Sequence, residues 1–310
     1  MDGRQATPRY RGRFAPSPTG PLHFGSLLAA VGSFADARQQ QGAWLVRIED
    51  LDQQRCLPGA DVSILKTLQA FGLCWDEPPS YQSQRTAYYE AALERLQRDQ
   101  LCYPCACTRR EIAALGLQGL EGPIYPGCCR AGLPPGRRGR SLRLRIDCGE
   151  LSILDRIHGL STQHLSSEVG DIVLRRADGF YAYQLAVVVD DGDQGITRVV
   201  RGADLLGSTQ RQVYLQRCLG LPQPEYAHLP LMLGGDGRKL SKSLAAAPVD
   251  ATDPLPALTQ AWHLLGQRSL DAAPSRVDEF WQQAIPRWDL ARVPLGPLKI
   301  AGSDPLPAAR

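Results

Sequence analysis

His23 in "PLHFGS" and the two lysines of "RKLSKSL" (Arg238–Leu244) are of types and in settings that suit phosphate chemistry. His23 stands at a loop-to-helix junction, and a helix N-terminus attracts anions. Gly25, two residues on, lets a ligand approach the backbone closely. Lys239 and Lys242 follow a glycine-rich turn, "GGDG", and can reach the same anion from the opposite edge of one sheet. An isolated lysine pair is ordinarily a solvated turn, and a lone histidine near a helix start is ordinarily structural. Together they fit a nucleoside triphosphate attacked at its α-phosphorus, which needs positioning and charge neutralisation more than covalent help.

That arrangement requires a particular scaffold. "RGRFAP" reads as a strand ending at Pro16. The next helix carries Leu27, Val31 and Phe34 on one face, and "AWLVRIED" is a buried strand running into acids. Strand, loop, helix, strand is a βαβ unit with a right-handed crossover, and ligands bind beyond the carboxyl ends of its strands. The loop "APSPTGPLHFGS" and the acids Glu49 and Asp50 lie at that edge. From about Phe71 the pattern becomes rich in Pro, Gly and Cys. "YQLAVVVDD" and "ITRVVRG" then read as strands, and "LLGSTQRQVYLQRCLG" as a helix. The predicted fold is α/β: a doubly wound parallel, Rossmann-type sheet in two halves, 8–76 and 184–245. An α+β insertion at 77–183 separates them, and a small helical part with a loose tail follows at 246–310.

Composition sets the class. A chain of 310 residues with 43% apolar and 22% charged residues is an ordinary globular protein, with no run apolar enough for a bilayer and no secretory leader. A cytoplasmic location with no membrane partner is the expectation. The net charge of +3 does not demand nucleic acid, but "GRRGRSLRLRI" carries five arginines. There Arg143 and Arg145 alternate with apolar residues, as in a strand with one cationic face open to a phosphate backbone. Five of the nine cysteines fall between Cys102 and Cys129. Such crowding without a secretory leader reads as a metal site. Spacing alone favours four thiolates around zinc, with a C-x2-C pair at Cys102 and Cys105 and closure by Cys128.

"HFGS" resembles the HIGH motif and "KLSKS" the KMSKS motif of class I aminoacyl-tRNA synthetases. "RFAPSPTGPLHFG", "RIEDLD" and "VVRGADLL" are similar to the glutamyl branch of that family, and the resemblance runs from about Arg11 to Leu244. It implies an ATP-dependent ligase, with Mg2+ accompanying the nucleotide. His23, Gly25, Ser26, Lys239 and Lys242 would hold ATP, and His23, Lys239 and Lys242 would serve the reaction, Lys242 as pyrophosphate leaves. Ser26 occupies a position where many relatives carry a second histidine. Arg13, Phe14, Ala15, Pro16 and Ser17 would line the amino-acid pocket, Glu49 would accept the ammonium, and Tyr183 and Arg201 would hold the glutamate side chain. Physical reasoning adds that Arg13 and Arg201 can offer paired donors to a carboxylate. A neutral amide would leave such donors poorly matched.

Only 66 residues follow Leu244, too few for a second domain of ordinary size. The chain therefore resembles a truncated paralogue group of the glutamyl branch. That group activates L-glutamate without tRNA and esterifies the cyclopentenediol of queuosine in the anticodon loop of tRNA(Asp). It carries C-x-C followed by Y-x3-C as zinc ligands, which here implies Cys105, Cys107, Tyr125 and Cys129, with Cys128 the rival for the last place. A monomer is expected. Two other functions compete: a truncated enzyme charging a tRNA acceptor end, and a non-catalytic RNA-binding relative.

Overall fold

The computed structural model describes residues 9–116, 118–119, 122–233 and 247–299. Strand β1 (Arg11–Phe14) leads through the Pro-rich loop into helix α1 (Phe24–Gln39), and the chain returns in β2 (Ala43–Ile48). β1 and β2 are parallel, from Arg11 opposite Ala43 to Phe14 opposite Val46. Helix α2 (Ala60–Ala70) crosses to the short β3 (Ser80–Tyr81), parallel to β2. Leu27, Val31 and Phe34 are buried as expected, but so are Ala30, Gly32, Ser33 and Asp36. A helix buried around its girth lies between layers. At Gly32 a Cβ would come within 2.6 Å of Leu229, so glycine permits the close approach of helix to sheet.

The insertion begins with α3 (Thr86–Arg98) and runs through β4 (Cys102–Cys105), α4 (Arg109–Leu115), β5 (Gln118–Gly119), β6 (Gly122–Pro123) and β7 (Ser141–Leu144). It continues with the hairpin β8 (Glu150–Asp155) and β9 (Gly159–His164), α5 (Leu165–Glu168) and β10 (Val173–Arg175). β10, β7 and β4 form an antiparallel sheet in that order.

The parallel pattern then resumes with a difference. "YQLAVVVDD" is not a strand but helix α6 (Tyr183–Asp193). Leu185 to Val189 are buried without interruption, and such a run carries no periodicity that separates strand from helix. β11 (Arg198–Gly202), α7 (Thr209–Cys218), β12 (Glu225–Leu229) and β13 (Met232–Leu233) follow. β11 and β12 are parallel, and the Thr197 N–H donates to the Arg11 carbonyl at 2.9 Å, joining the two halves. The two parallel sheets, β3-β2-β1 and β11-β12, thus meet side by side along β1 and β11. β8 joins beyond β12 through Tyr226 opposite Asp155, so the inserted hairpin extends the sheet of the second half.

Helices α8 (Pro254–Leu264) and α9 (Val277–Ala284) contribute Trp262, Phe280 and Trp281 to the same core as α1, and β14 (Leu298–Lys299) pairs with β13. Trp288 donates its indole N–H to the buried Asp36 at 3.1 Å, which fixes this segment against α1. Among the described residues no helix is long and apolar enough to cross a membrane.

Candidate active site and metal centre

The carboxyl ends of β1, β11 and β12 open onto a cavity of about 440 Å³. Phe14, Ala15, Pro16 and Ser17 line it from the first loop, and His23, Gly25 and Ser26 from the start of α1. His23 is the N-cap of α1. Its Nδ1 accepts the Ser26 N–H at 3.2 Å, and Ser26 Oγ lies 3.0 Å from Nε2. A Cβ at Gly25 would sit 3.3 Å from two atoms of the imidazole, so the missing side chain leaves the ring its place over the first turn. This is the cationic end of the helix, with no acid in its first turn to oppose a phosphate. Lys239 and Lys242 lie outside the described residues.

A second cavity, about 230 Å³, shares Ser17 and Thr19 with the first and is lined by Glu49, Asp52, Arg176 and Tyr183 among others. The Glu49 N–H donates to the Pro16 carbonyl at 2.9 Å, which ties the end of β2 to the first loop. Beneath it lies a buried charge cluster. Asp191 receives Arg13 at 3.1 and 3.3 Å and Arg47 at 2.8 Å. Asp190 receives Arg85 at 2.6 Å, Gln82 at 2.8 Å and Tyr89 at 2.9 Å. Arg13 gives its Nε–H and one Nη2–H to Asp191, so its side-on fork is taken and the end-on edge, Nη1 with the second Nη2 hydrogen, is what remains for a carboxylate.

Glu49 is less well served. Its Oε1 has no hydrogen-bond partner and stands 3.5 Å from Arg47. Burial pushes its carboxyl up to about 7, Arg47 and Arg13 oppose the shift, and Asp191 and Asp190 add to it. Burial also raises the Tyr183 phenol, with Glu49 adding and Arg201 and Arg13 opposing. Tyr183 is thus within electrostatic reach of both ends of the site.

Arg201 lines neither cavity and is 5% exposed. Its Nε–H donates to His228 Nε2 at 3.0 Å, and Nη2 donates to Thr209 Oγ1 at 3.1 Å and the Leu205 carbonyl at 3.4 Å. Nη1 is buried with no partner. In contrast to Arg13 and Arg47, Arg201 makes no ion pair with a carboxylate among the described residues.

The thiols gather elsewhere. The Cys105, Cys107 and Cys129 sulfurs lie within 4.8 Å of one another. Tyr125 Oη is 3.3 Å from Cys105 Sγ and 3.8 Å from Cys107 Sγ, and Cys107 and Cys129 are 3.7 Å apart. A tetrahedral site with metal–sulfur bonds of about 2.3 Å has sulfur–sulfur edges of about 3.8 Å, so this donor set fits a thiophilic ion. Cys128 is exposed and Cys102 packs in a different cluster, so the structure gathers Cys129 and neither of those two. The arginine strand is also corrected. Arg143 is buried with its guanidinium 3.9 Å over the Tyr125 ring, and Arg145 lies 4.8 Å over Tyr103. These two support the cysteine-bearing fold rather than forming an open cationic face; Arg137, Arg138 and Arg140 are the exposed ones, Arg137 in an ion pair with Glu111.

Residues 9–261 match the catalytic domain of class I tRNA synthetases for Glu and Gln. A glutamyl-Q tRNA(Asp) synthetase of Burkholderia mallei (strain ATCC 23344) is 56% identical over 91% of this chain and 96% of its own length. One from Xanthomonas campestris pv. campestris (strain 8004) is 57% identical over 92% and 93%. The chain belongs to the glutamyl-Q tRNA(Asp) synthetases, within the class I Glu/Gln family. Among solved structures, a glutamate tRNA ligase of Elizabethkingia meningosepticum in complex with its amino acid superposes with a TM-score of 0.77, at 25% identity over 94% of this chain and 67% of that one. The glutamate-tRNA synthetase of Elizabethkingia anophelis gives 0.79, also at 25% identity, over 94% and 68%.

Within this glutamyl-Q fold, motif matching passed over Arg47, Asp190, Asp191 and His228. A signal was present. Each is a charged or titratable residue inside or closing an apolar run ("LVRIED", "VVVDD", "YAHLP"), and a charge buried there needs a partner.

Proposed function

We propose that this chain uses ATP to activate L-glutamate as glutamyl-adenylate without tRNA, then passes the glutamyl group to the cyclopentenediol of queuosine in the tRNA(Asp) anticodon loop. In the first step a glutamate α-carboxylate oxygen attacks the α-phosphorus and pyrophosphate leaves. In the second a cyclopentenediol hydroxyl attacks the activated carbonyl and AMP leaves. His23 at the α1 N-terminus, with Lys242, stabilises the charge that grows on the phosphates.

The observation that carries the amino-acid assignment is the unmatched guanidinium of Arg201. A buried cation without a counter-charge is costly, and Nη1 remains to be partnered. At the other end, Glu49 has an unpartnered oxygen suited to an ammonium. A zwitterion with an anionic side chain satisfies both. Glutamine would meet Arg201 with a neutral group and leave the charge uncompensated.

Cys105, Cys107, Tyr125 and Cys129 hold one zinc ion, which supplies cross-linking to a segment too rich in Gly and Pro to hold itself. That segment, residues 77–183, carries the exposed Arg138 and Arg140 toward RNA. The enzyme acts as a cytoplasmic monomer.

The test is ATP–pyrophosphate exchange with glutamate, glutamine and aspartate in the absence of RNA, followed by labelling of a queuosine-bearing anticodon stem-loop. Exchange should require glutamate alone, and labelling should vanish when guanosine replaces queuosine. Dependence of labelling on the tRNA terminal adenosine would instead identify an enzyme that charges acceptor ends.

A further inference from the structure

Arg201 is held from behind by a buried relay that runs into the inserted hairpin. His228 is 0% exposed and Asp155, at the end of β8, is 1% exposed. Asp155 Oδ2 is 2.6 Å from His228 Nδ1. Asp155 is itself fixed, since Oδ1 accepts the N–H of Ile157 and of His158, each at 2.9 Å, and that of His228 at 3.4 Å. On the other side of the ring, Nε2 faces the Arg201 Nε–H at 3.0 Å and Thr209 Oγ1 at 3.2 Å.

Donor and acceptor roles follow without ambiguity. An arginine Nε–H can only donate, so His228 Nε2 must carry a lone pair. The imidazole proton then sits on Nδ1 and goes to Asp155. Were the ring to carry its proton on Nε2, two donors would meet, and Arg201 would swing away. Arg201 also has few other restraints: two contacts through Nη2 and the ring of Tyr226, 5.4 Å from the guanidinium carbon.

We infer that His228 is a positioning residue for amino-acid selection, held by Asp155 in the tautomer that pins the ε edge of Arg201 and leaves Nη1 for the substrate side chain. His228 touches no substrate. The role follows only if Arg201 meets that side chain, as proposed above. Because the pin is a neutral acceptor and not a carboxylate, it orients the guanidinium without neutralising it, so the demand for an anionic ligand is kept. A carboxylate in place of His228 would satisfy the charge and weaken the selection.

Three variants test this in ATP–pyrophosphate exchange, read as the ratio of kcat/KM for glutamate to that for glutamine. Arg201→Gln tests the underlying reading, and the ratio should collapse; an unchanged ratio sinks the side-chain assignment itself. His228→Phe keeps ring volume and removes the acceptor, and should lower the ratio at least tenfold through the KM for glutamate while the KM for ATP stays fixed. His228→Gln restores an acceptor oxygen and should recover most of the ratio. If Arg201→Gln collapses the ratio but His228→Phe leaves it intact, the positioning role is wrong while the glutamate reading stands. Equal damage by Phe and Gln would likewise reduce His228 to packing. Should the Phe variant lose cooperative unfolding, Asp155→Asn decides, since it leaves the ring free to take the other tautomer. A ratio at least threefold lower supports the relay, and an unchanged one overturns it.

Discussion

Glu49→Gln should separate substrate affinity from stability, with opposite signs. The carboxyl is pushed from 4.5 up to about 7, because burial disfavours its charge more than Arg47 and Arg13 favour it. An acid whose folded value is raised binds its proton more tightly when folded. It therefore stabilises the fold below its ordinary value, and that contribution is lost as pH rises from 4.5 through about 7. At about 1.4 kcal/mol per pH unit, the ionised carboxylate costs the fold about 3 kcal/mol above pH 7. Gln keeps the shape and never ionises, and Arg47 retains Asp191 at 2.8 Å. Urea unfolding should thus show the variant gaining on the wild type as pH is raised from about 5 to about 8, by up to about 3 kcal/mol. Glutamate binding moves the other way, because only the ionised form accepts the ammonium well. In wild type, the KM for glutamate in exchange should be roughly tenfold higher at pH 6 than on the plateau above pH 8, one pH unit below the midpoint leaving about a tenth of the sites ionised. The KM for ATP should not follow it. The Gln variant should have a raised glutamate KM with no such dependence. A variant that keeps the wild-type pH profile would show that another group titrates, and a stability margin that shrinks with pH would refute the sign of the burial effect.

Gly25→Ala should lower the exchange kcat about tenfold, because the new Cβ meets the His23 ring at 3.3 Å, yet change unfolding free energy by no more than about 1 kcal/mol, since alanine favours the helix. Lys242→Ala should leave the KM for ATP nearly unchanged and raise the activation barrier by about 2.7–4 kcal/mol, as expected where a contact strengthens only in the transition state; weakened ATP binding at full rate would contradict it. One zinc per chain should be found by metal analysis, and Cys105→Ser should release it and increase proteolysis within 100–145 while α1 and the sheet stay folded. Protein prepared without chelator and lacking zinc would remove the site.

What could be seen in the sequence was what local pattern encodes. β1, α1 and β2 were legible because a strand that ends at Pro16 and a helix with regularly spaced apolar residues leave clear signatures. α6 was not, since Leu185 to Val189 are apolar on every side and the helix is buried on every side. The turn that opens α1 was legible from Gly25 and His23, whose contacts with Ser26 are set within four residues. The state of Arg13 was not, because its partner Asp191 lies 178 positions away. Arg143 and Arg145 show a related limit: alternation marked a strand correctly, but the face called cationic is covered by Tyr125 and Tyr103, brought there by folding around the cysteines.

The charge cluster beneath the cavity gives a physical reason for activation to precede any contact with RNA. Asp191 is gripped by Arg13 and Arg47, and Asp190 by Arg85, Gln82 and Tyr89, so the charged groups beneath the cavity are oriented by the protein itself. Arg201 is likewise fixed along one edge before a ligand arrives. Glu49 Oε1 and Arg201 Nη1 are among the buried atoms without a hydrogen-bond partner, and in the function proposed above each meets one charged end of glutamate. Binding then completes the electrostatics rather than reorganising them, and preorganised dipoles and charges are where enzymes gain most. A site that needed RNA for activation would keep one of these side chains misoriented until the RNA arrived. Here Arg13, Arg47 and Arg201 are each held by protein partners.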